Sequence, residues 1–416
     1  MSRSRSRSNE VKKSLRYSIL DGSASSASSG LTQDYISPFA LALKATTVQI
    51  GLLSSLPNLA TALSQLAAPR LSEGDGSRKR LILRAVFVQA LLWAPILLIP
   101  YFFPGGKAWW LVVLFTLSAI AGSIASPAWW SLMADLVPAG MRGRYMGLRG
   151  RICGVASLAF FIIGGLVLHF SATNVFLGFA ILFGGALLFR LVSWYFLSKM
   201  YDPPLLTGWW DRYSLPDLVG TLVSSNLGRF IVFSSLMNFA TYLVSPFFAV
   251  YMLRDLSFNY LTYAGLTAAS SLATLVFLTF WGGRADRLGN VKVVNATSLL
   301  VPLIPLLWLV SHRIYYLIPI QVLSGFAWYG FTLASANFVS EASAPENRTR
   351  YIALFNAMNG LGACLGALTG GFLESLLPPL LGYSILTLFL VSGLLRILVA
   401  LVLLPHFSEV RAGTGR

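Results

Sequence analysis

A chain of 416 residues that is 56% hydrophobic and 11% charged, with a mean hydropathy of +0.70, is too apolar for an ordinary soluble domain and reads as a polytopic membrane protein. Its net charge of +16, from 31 Lys and Arg against 15 Asp and Glu, would suggest nucleic-acid binding in a soluble chain; in a membrane chain an excess of cations in cytosolic loops accounts for it, and no nucleic-acid partner is expected. Cys153 and Cys364 lie in apolar runs as small hydrophobes, while His169, His312 and His406 stand far apart without ligand-spaced neighbours, so neither a disulfide nor a metal site is indicated.

Residues 1–14 carry Arg3, Arg5, Arg7, Lys12 and Lys13 and read as a disordered basic cytosolic tail. The stretch that follows holds Asp21 and a serine run, which argues against a signal peptide. Apolar runs of about 20 residues, the length that crosses a bilayer as a helix, then predict twelve spans. They lie near 15–42, 46–69, 81–103, 108–131, 146–169, 174–198, 229–252, 258–281, 293–312, 314–338, 351–374 and 379–404. With both termini in the cytosol, nearly every Lys and Arg outside the spans falls on the inner side, the exceptions being Lys44, Lys107, Arg254 and Arg313. Trp109, Trp110 and Trp308 then fall near the interfaces, where amphipathic rings concentrate.

The longest internal polar segment, 199–228, sits near the midpoint and divides a six-helix bundle at 15–198 from a second at 229–404, with a cytosolic tail at 405–416. The two bundles repeat one another. Arg142-Gly143-Arg144-Tyr145 returns as Arg348-Thr349-Arg350-Tyr351, and the same shift of 206 residues (142 to 348) carries Asp135 onto Glu341 and Gly164-Gly165 onto Gly370-Gly371. Ser37-Pro38-Phe39 returns as Ser245-Pro246-Phe247. One such match is unremarkable in helices rich in Gly and Leu; several at nearly one offset argue for duplication.

Between the eighth and ninth spans lies Gly282-Gly283-Arg284-Ala285-Asp286-Arg287-Leu288-Gly289-Asn290-Val291-Lys292, whose charges require water and whose glycines suit a tight hinge. Asp286 is placed to cap a helix N-terminus and Arg287 to meet a carbonyl end. Gly282, Ala285, Asp286, Arg287 and Gly289 resemble the signature loop of the major facilitator superfamily (MFS) of secondary transporters. The departures are Arg284, where an aliphatic residue is usual, and Asn290-Val291, where bases are usual. A weaker first-half copy places Glu73 and Gly76 at the positions of Asp286 and Gly289.

The resemblance implies an all-α fold of twelve transmembrane helices in two six-helix repeats. It also implies a cytosolic gate in which Gly282, Asp286, Arg287 and Gly289 work with Asp135, Arg142, Arg144, Glu341, Arg348 and Arg350. Exposed ion pairs of this kind contribute about 0–1 kcal/mol each, so such a latch must be a network. Gly362, Gly366 and Gly370, and Gly143, Gly147, Gly150 and Gly154, follow the small-x-x-x-small spacing that lets helices touch in lipid.

Polar side chains at membrane depth are expensive and mark a cavity. The first span has rows of Ser, Thr and Gln ending in Gln33 and Asp34, and its repeat partner has Ser234, Asn238, Thr241 and Ser245. Trp328, Tyr329, Asn356 and Asn359 add amides and aromatic rings from the tenth and eleventh spans. Gln33, Asn238, Trp328, Tyr329, Asn356 and Asn359 are therefore the candidate substrate contacts. Asp34 and Asp21 are the candidate proton carriers, Asp21 lying roughly 9 Å inside the membrane from Leu15 and within reach of Arg149 or Arg151. Arg190 and Arg396 read as structural. No single span carries a central Arg or Lys cluster, which suits a neutral or amphiphilic solute better than a polyanion.

The expected function is secondary active transport of a small organic solute by alternating access, coupled to protons and without a cofactor, by a monomer in the plasma or inner membrane. The alternative is an MFS-fold protein that handles lipid or acts as a sensor. Enzymatic chemistry is not expected, because no nucleophile-base-acid set and no phosphate-binding Gly-Lys-Ser/Thr loop occurs.

Overall fold

The structure, a computed structural model, describes residues 2–74, 77–138, 141–203, 225–343 and 348–410, with the side chains of 2–9, 65–74, 142–143 and 349–350 outside that description. Every expected span is helical, and no β-strand occurs among the described elements. The first six helices are α1 (Ser2–Gly30), α2 (Thr47–Gly74), α3 (Arg78–Phe102), α4 (Lys107–Leu136), α5 (Arg142–Phe170) and α6 (Val175–Ser198). The second six are α7 (Asn226–Tyr242), α8 (Tyr260–Leu288), α9 (Asn290–Leu300), α10 (Ile314–Glu341), α11 (Arg348–Leu376) and α12 (Ser384–Leu403). Ten helices among the described residues are long and apolar enough to cross a membrane; α1 and α2, richer in polar residues, complete six in each half. The stretch expected as a tail is continuous with α1, which starts at Ser2.

Local chemistry sets the helix ends. Ser77, Asn174, Ser225 and Asn259 each accept a hydrogen bond from a backbone N–H three residues on, capping α3, α6, α7 and α8. The first span of each half is broken at its repeat position. After Gly30 the chain turns through a 3-10 segment, Gln33–Tyr35, and resumes as Ile36–Ala42; after Tyr242 it turns through Ser245–Phe247 and resumes as Phe248–Val250 and a π turn, Tyr251–Asp255. Pro246 accounts for the second break, since it lacks an N–H and its ring crowds the carbonyl of Tyr242 four residues back, whereas Pro38 lies inside the resumed helix Ile36–Ala42.

The chain folds as two compact units, Met1–Ala45 with Leu63–Trp210 and Thr46–Ala62 with Asp211–Arg416. The first unit is centred on Ile82, Val86, Leu132, Met133 and Leu136 of α3 and α4. The second surrounds Phe230, Phe233, Phe331 and Phe338 of α7 and α10. In it, α11 lies directly against α7: a Cβ at Gly362, Gly366 or Gly370 would collide with the carbonyl of Ser235, Phe239 or Leu243. The small-residue spacing there is a backbone contact, as expected. Gly147 and Gly150 of α5 instead face open space, and the tight approach in the first unit is made by Gly30, against the carbonyl of Ser157.

Three local expectations change. The stretch from Gly282 to Lys292 is helical on both sides of a single break at Gly289, whose φ of +91° needs a residue without Cβ. Asp286 therefore lies in the last turn of α8 and caps no N-terminus; the first turn of α9 is served by Glu409, which accepts from the N–H of Val291 at 2.8 Å. Trp308 is fully buried, packed against Phe248, Tyr251 and Phe389, because the broken seventh span leaves room for a large ring beneath it.

Candidate functional site

In the first unit, polar side chains from five helices meet within the span. Asp21 of α1 is 3% exposed and accepts a hydrogen bond from the Ser193 hydroxyl of α6 at 2.6 Å. Arg149 of α5 lies 3.6 Å from the same carboxylate, donates to the Ser18 carbonyl at 3.1 Å, and stacks over Trp129 of α4 with 4.2 Å to the ring centroid. Arg190 of α6 donates to Gln89 of α3 at 2.8 Å, to Ser25 at 2.6 Å and to Ser193 at 3.3 Å. Ser193 thus bridges the acid and the second guanidinium. Charges in hydrocarbon cost roughly 3 kcal/mol or more apiece, and the mutual hydrogen bonds of this set are what offset that cost.

The expected partnership of Asp21 is with Arg149; Arg151 is exposed. Arg190 is bound to three neutral side chains around that acid. No single span shows this pair of arginines, because the two guanidiniums come from neighbouring helices. Gln89 and Ser193 were not anticipated. Gln89 had a legible signal as the one amide in the third apolar run; Ser193 had none, since a lone span serine more often bonds its own helix.

In the second unit, Asn238 of α7 donates to the Asn359 side-chain oxygen of α11 at 3.1 Å, and the Ser234 hydroxyl donates to the same oxygen at 3.0 Å. Two of the expected substrate contacts are thereby joined. Trp328 and Tyr329 are half-buried beside this core, and Asn356, one turn before Asn359, is exposed. Gln33 and Asp34 are exposed on the 3-10 turn of the first unit. Glu374 pairs with Arg254 at 3.1 Å. Arg396, the repeat counterpart of Arg190, is 2% exposed, donates to the backbone oxygens of Val301 at 3.2 Å and Thr241 at 3.5 Å, and lies over the Trp328 ring with 6.0 Å to its centroid, its Nε without a hydrogen-bond partner among the described residues.

On the side of the recurrent loops, each half has its own latch. Arg78, the first residue of α3, pairs with Asp135 at the end of α4 at 2.6 Å and donates to the Ser131 hydroxyl at 2.9 Å. At the matching place in the second half, Asn290 donates to Glu341 at 2.9 Å. An amide–carboxylate bond thus stands where the first half has an ion pair, at the position where the signature loop departs from its usual base. Each latch is completed by the segment after its sixth helix. Asp202 accepts from the Ser77 hydroxyl at 2.6 Å, and Glu409 takes the N–H of Val291.

Asp286, Arg287, Gly289, Asn290, Glu341 and Glu409 line a cleft of about 450 Å³. Gly282 lies inside α8 with open space about it. Arg144 is exposed, and Arg348 donates to the Ser340 carbonyl at 2.9 Å. The side chains of Arg142, Arg350 and Glu73, and all of Gly76, lie outside the described residues.

Solved structures of similar shape are transporters. The nucleoside transporter NupG is 15% identical, with 97% of this chain and all of that one covered at a TM-score of 0.72. A D-xylose-proton symporter is 13% identical, with 96% and 97% covered at 0.73. A bacterial homologue of the human lysosomal transporter Spinster, in an inward-facing and occupied conformation, is 14% identical, with 97% and 99% covered at 0.68. At these identities the likeness is one of fold. A comparison with curated proteins finds no match. The sequence itself matches the family described as Major Facilitator Superfamily over residues 22–225 and 230–414. With that match across nearly the whole length, and with the broken first spans and recurrent latches repeated in each half, the chain belongs to the major facilitator superfamily.

Proposed function

We propose that the protein is a secondary transporter that carries a small organic solute across the membrane by alternating access, with proton movement as the driving force. The observation that carries this reading is the pair of polar nodes built on the first span of each half: Asp21 with Ser25 in one, Ser234 with Asn238 in the other. Hydrocarbon-depth polar groups persist only where they repay their desolvation, and a solute path is the common reason. In this reading Gln33, Asn238, Trp328, Tyr329, Asn356 and Asn359 contact the solute, and Asp34 or Asp21 carries the proton.

The latches of Arg78 with Asp135 and Asn290 with Glu341 keep the cytosolic ends of α3–α4 and α9–α10 rigid. Asp286, Arg287, Arg142, Arg144, Arg348 and Arg350 then form the changeable part of the gate. Weak exposed pairs suit that role, because the two states of a carrier must lie within a few kcal/mol of one another. Both termini are cytosolic, in a plasma or inner membrane, and the working unit is the monomer.

Reconstitution in vesicles tests the reading. Solutes are first selected by thermal stabilisation of the detergent-purified protein, since a ligand at about 100 times its Kd stabilises by roughly 2.7 kcal/mol. Uptake of a selected solute should follow an imposed pH gradient and lose that dependence in Asp34→Asn or in Asp21→Asn. Uptake indifferent to the gradient in the native protein refutes the coupling, and stabilisation by lipids alone without any uptake refutes transport.

A further inference from the structure

The Asp21 cluster holds two guanidiniums and one carboxylate, and the carboxylate is the sealed member. Its side chain is 5% exposed, against 17% for that of Arg149, and Arg190 is half-buried. Arg149 meets Asp21 at 3.6 Å, a charge contact longer than a hydrogen bond, and the closest partner of that carboxylate is the Ser193 hydroxyl at 2.6 Å. The side-chain partners of Arg190 are neutral: Gln89, Ser25 and Ser193.

All three charged groups lie inside the span. Arg149 is seven residues into α5 and Arg190 eight from the end of α6, depths of roughly 10 and 12 Å. The set therefore carries one positive charge in excess where water is scarce and a counter-charge is worth most.

We propose that Arg149 and Arg190 form the seat for the anionic group of the transported solute, a monoanionic carboxylate or phosphate ester. This deepens the reading of the bundle as a solute path, on which it rests. Guanidinium is the side chain suited to the task, since its planar fork matches both carboxylate and phosphate oxygens. The neutral acceptors now on Arg190 are the groups such an anion would replace. Asp21 competes with such an anion: its carboxylate gives Arg149 its one ionic contact among the described residues. Removing the charge of Asp21 should therefore strengthen anion binding, and removing that of Arg190 should abolish it. The same chemistry would accept an anionic lipid headgroup, so lipid is probed separately.

The test uses the full chain in neutral detergent and matched pairs of probes, gluconate and glucose 6-phosphate against glucose, with phosphatidylglycerol as the lipid arm. The expected result is a rise in unfolding temperature on the order of 5 °C with a saturating anion and none with glucose. The rise should be lost in Arg190→Gln and should need at least about tenfold less anion in Asp21→Asn. Arg149→Lys keeps the charge without the fork and should weaken the anion's effect without abolishing it, which separates loss of the site from loss of the fold.

A rise with phosphatidylglycerol and not with the sugar anions supports the seat and identifies a headgroup as its occupant. Equal stabilisation by glucose, an anion effect that survives Arg190→Gln, or no anion effect in either the native protein or Asp21→Asn overturns the proposal. Because binding is read without transport, vesicle uptake of a neutral solute with no anion binding would defeat this inference alone. Anion binding without any uptake would defeat the transport reading alone.

Discussion

The last helix of each half carries an arginine at the same repeat position, and the two have opposite surroundings. One matched contact between the first and sixth helices sets their structural register, a shift of 212 in the first (28 to 240) and 206 in the sixth (186 to 392). At both places one hydroxyl ties the two helices together, from Ser28 to the Ala186 carbonyl in one half and from Ser392 to the Ala240 carbonyl in the other. Under these shifts Asp21 becomes Phe233, Ser25 becomes Met237 and Ser193 becomes Val399. All three replacements are buried and apolar. Arg190 is consequently embedded in a polar set, whereas Arg396 has two backbone carbonyls and the Trp328 ring for company. Duplication preserved the charge but not its company, so the two halves no longer play the same electrostatic part. Around the sixth-helix arginine the first half gathers polar side chains and the second apolar ones, the polar contacts of the second half lying instead at Ser234, Asn238 and Asn359.

The largest expected effect tests the packing side of this contrast. Gly366→Ala would drive a methyl into the Phe239 carbonyl where α11 meets α7, and should cost at least about 2–3 kcal/mol, read as a fall of several degrees in unfolding temperature. Gly150→Ala in α5 meets nothing within 4 Å and should be neutral or slightly stabilising. Equal losses at the two glycines would refute the assignment of close packing to the second half.

The arginines come next. Arg190→Met strands Gln89 and Ser25 and takes a donor from Ser193, and should destabilise by about 1–3 kcal/mol. Arg396→Met removes a buried cation with an unpartnered Nε and should be neutral or stabilising by up to about 3 kcal/mol. Unfolding temperatures that move in the same direction for both would mean that the halves are electrostatically alike after all.

A smaller difference separates the latches. Arg78→Ala loses a buried stem and four acceptors and should cost about 1–2 kcal/mol, whereas Asn290→Ala loses one bond to an exposed acid and should cost about 0.5–1 kcal/mol. Unfolding midpoints in matched detergent decide the order. The smallest change is Glu409→Gln, which keeps an acceptor for Val291 but removes the charge at the start of α9. It should cost no more than about 0.5 kcal/mol, and less at high salt; a loss that grows with salt would contradict the helix-terminus account.

Much of the architecture was legible from residues alone. Apolar runs of spanning length, the gathering of cations in alternate loops, and the Arg142 and Arg348 blocks are local or periodic properties, and the structure has helices at all twelve expected places. The glycines of α11 were read correctly because spacing along one helix is enough to place them on one stripe. Those of α5 share the spacing, yet Gly147 and Gly150 face open space, since spacing cannot say which neighbour a stripe meets. The charged stretch at Gly282–Lys292 read as a loop because helices in water and loops share polar composition. Only the positive φ at Gly289 locates the break.

Membership of a membrane fold, the count of spans, the duplication and the recurrent loop residues were thus determined by sequence, because each depends on residues that are neighbours along the chain. The partnership of Arg149 and Arg190 around Asp21, the bond between Asn238 and Asn359, and the seat of Arg396 on backbone carbonyls and the Trp328 ring were decided by tertiary structure. These contacts depend on how each helix is rotated about its own axis and how far it slides past the next. Helices that are apolar all round carry little pattern that would record either quantity.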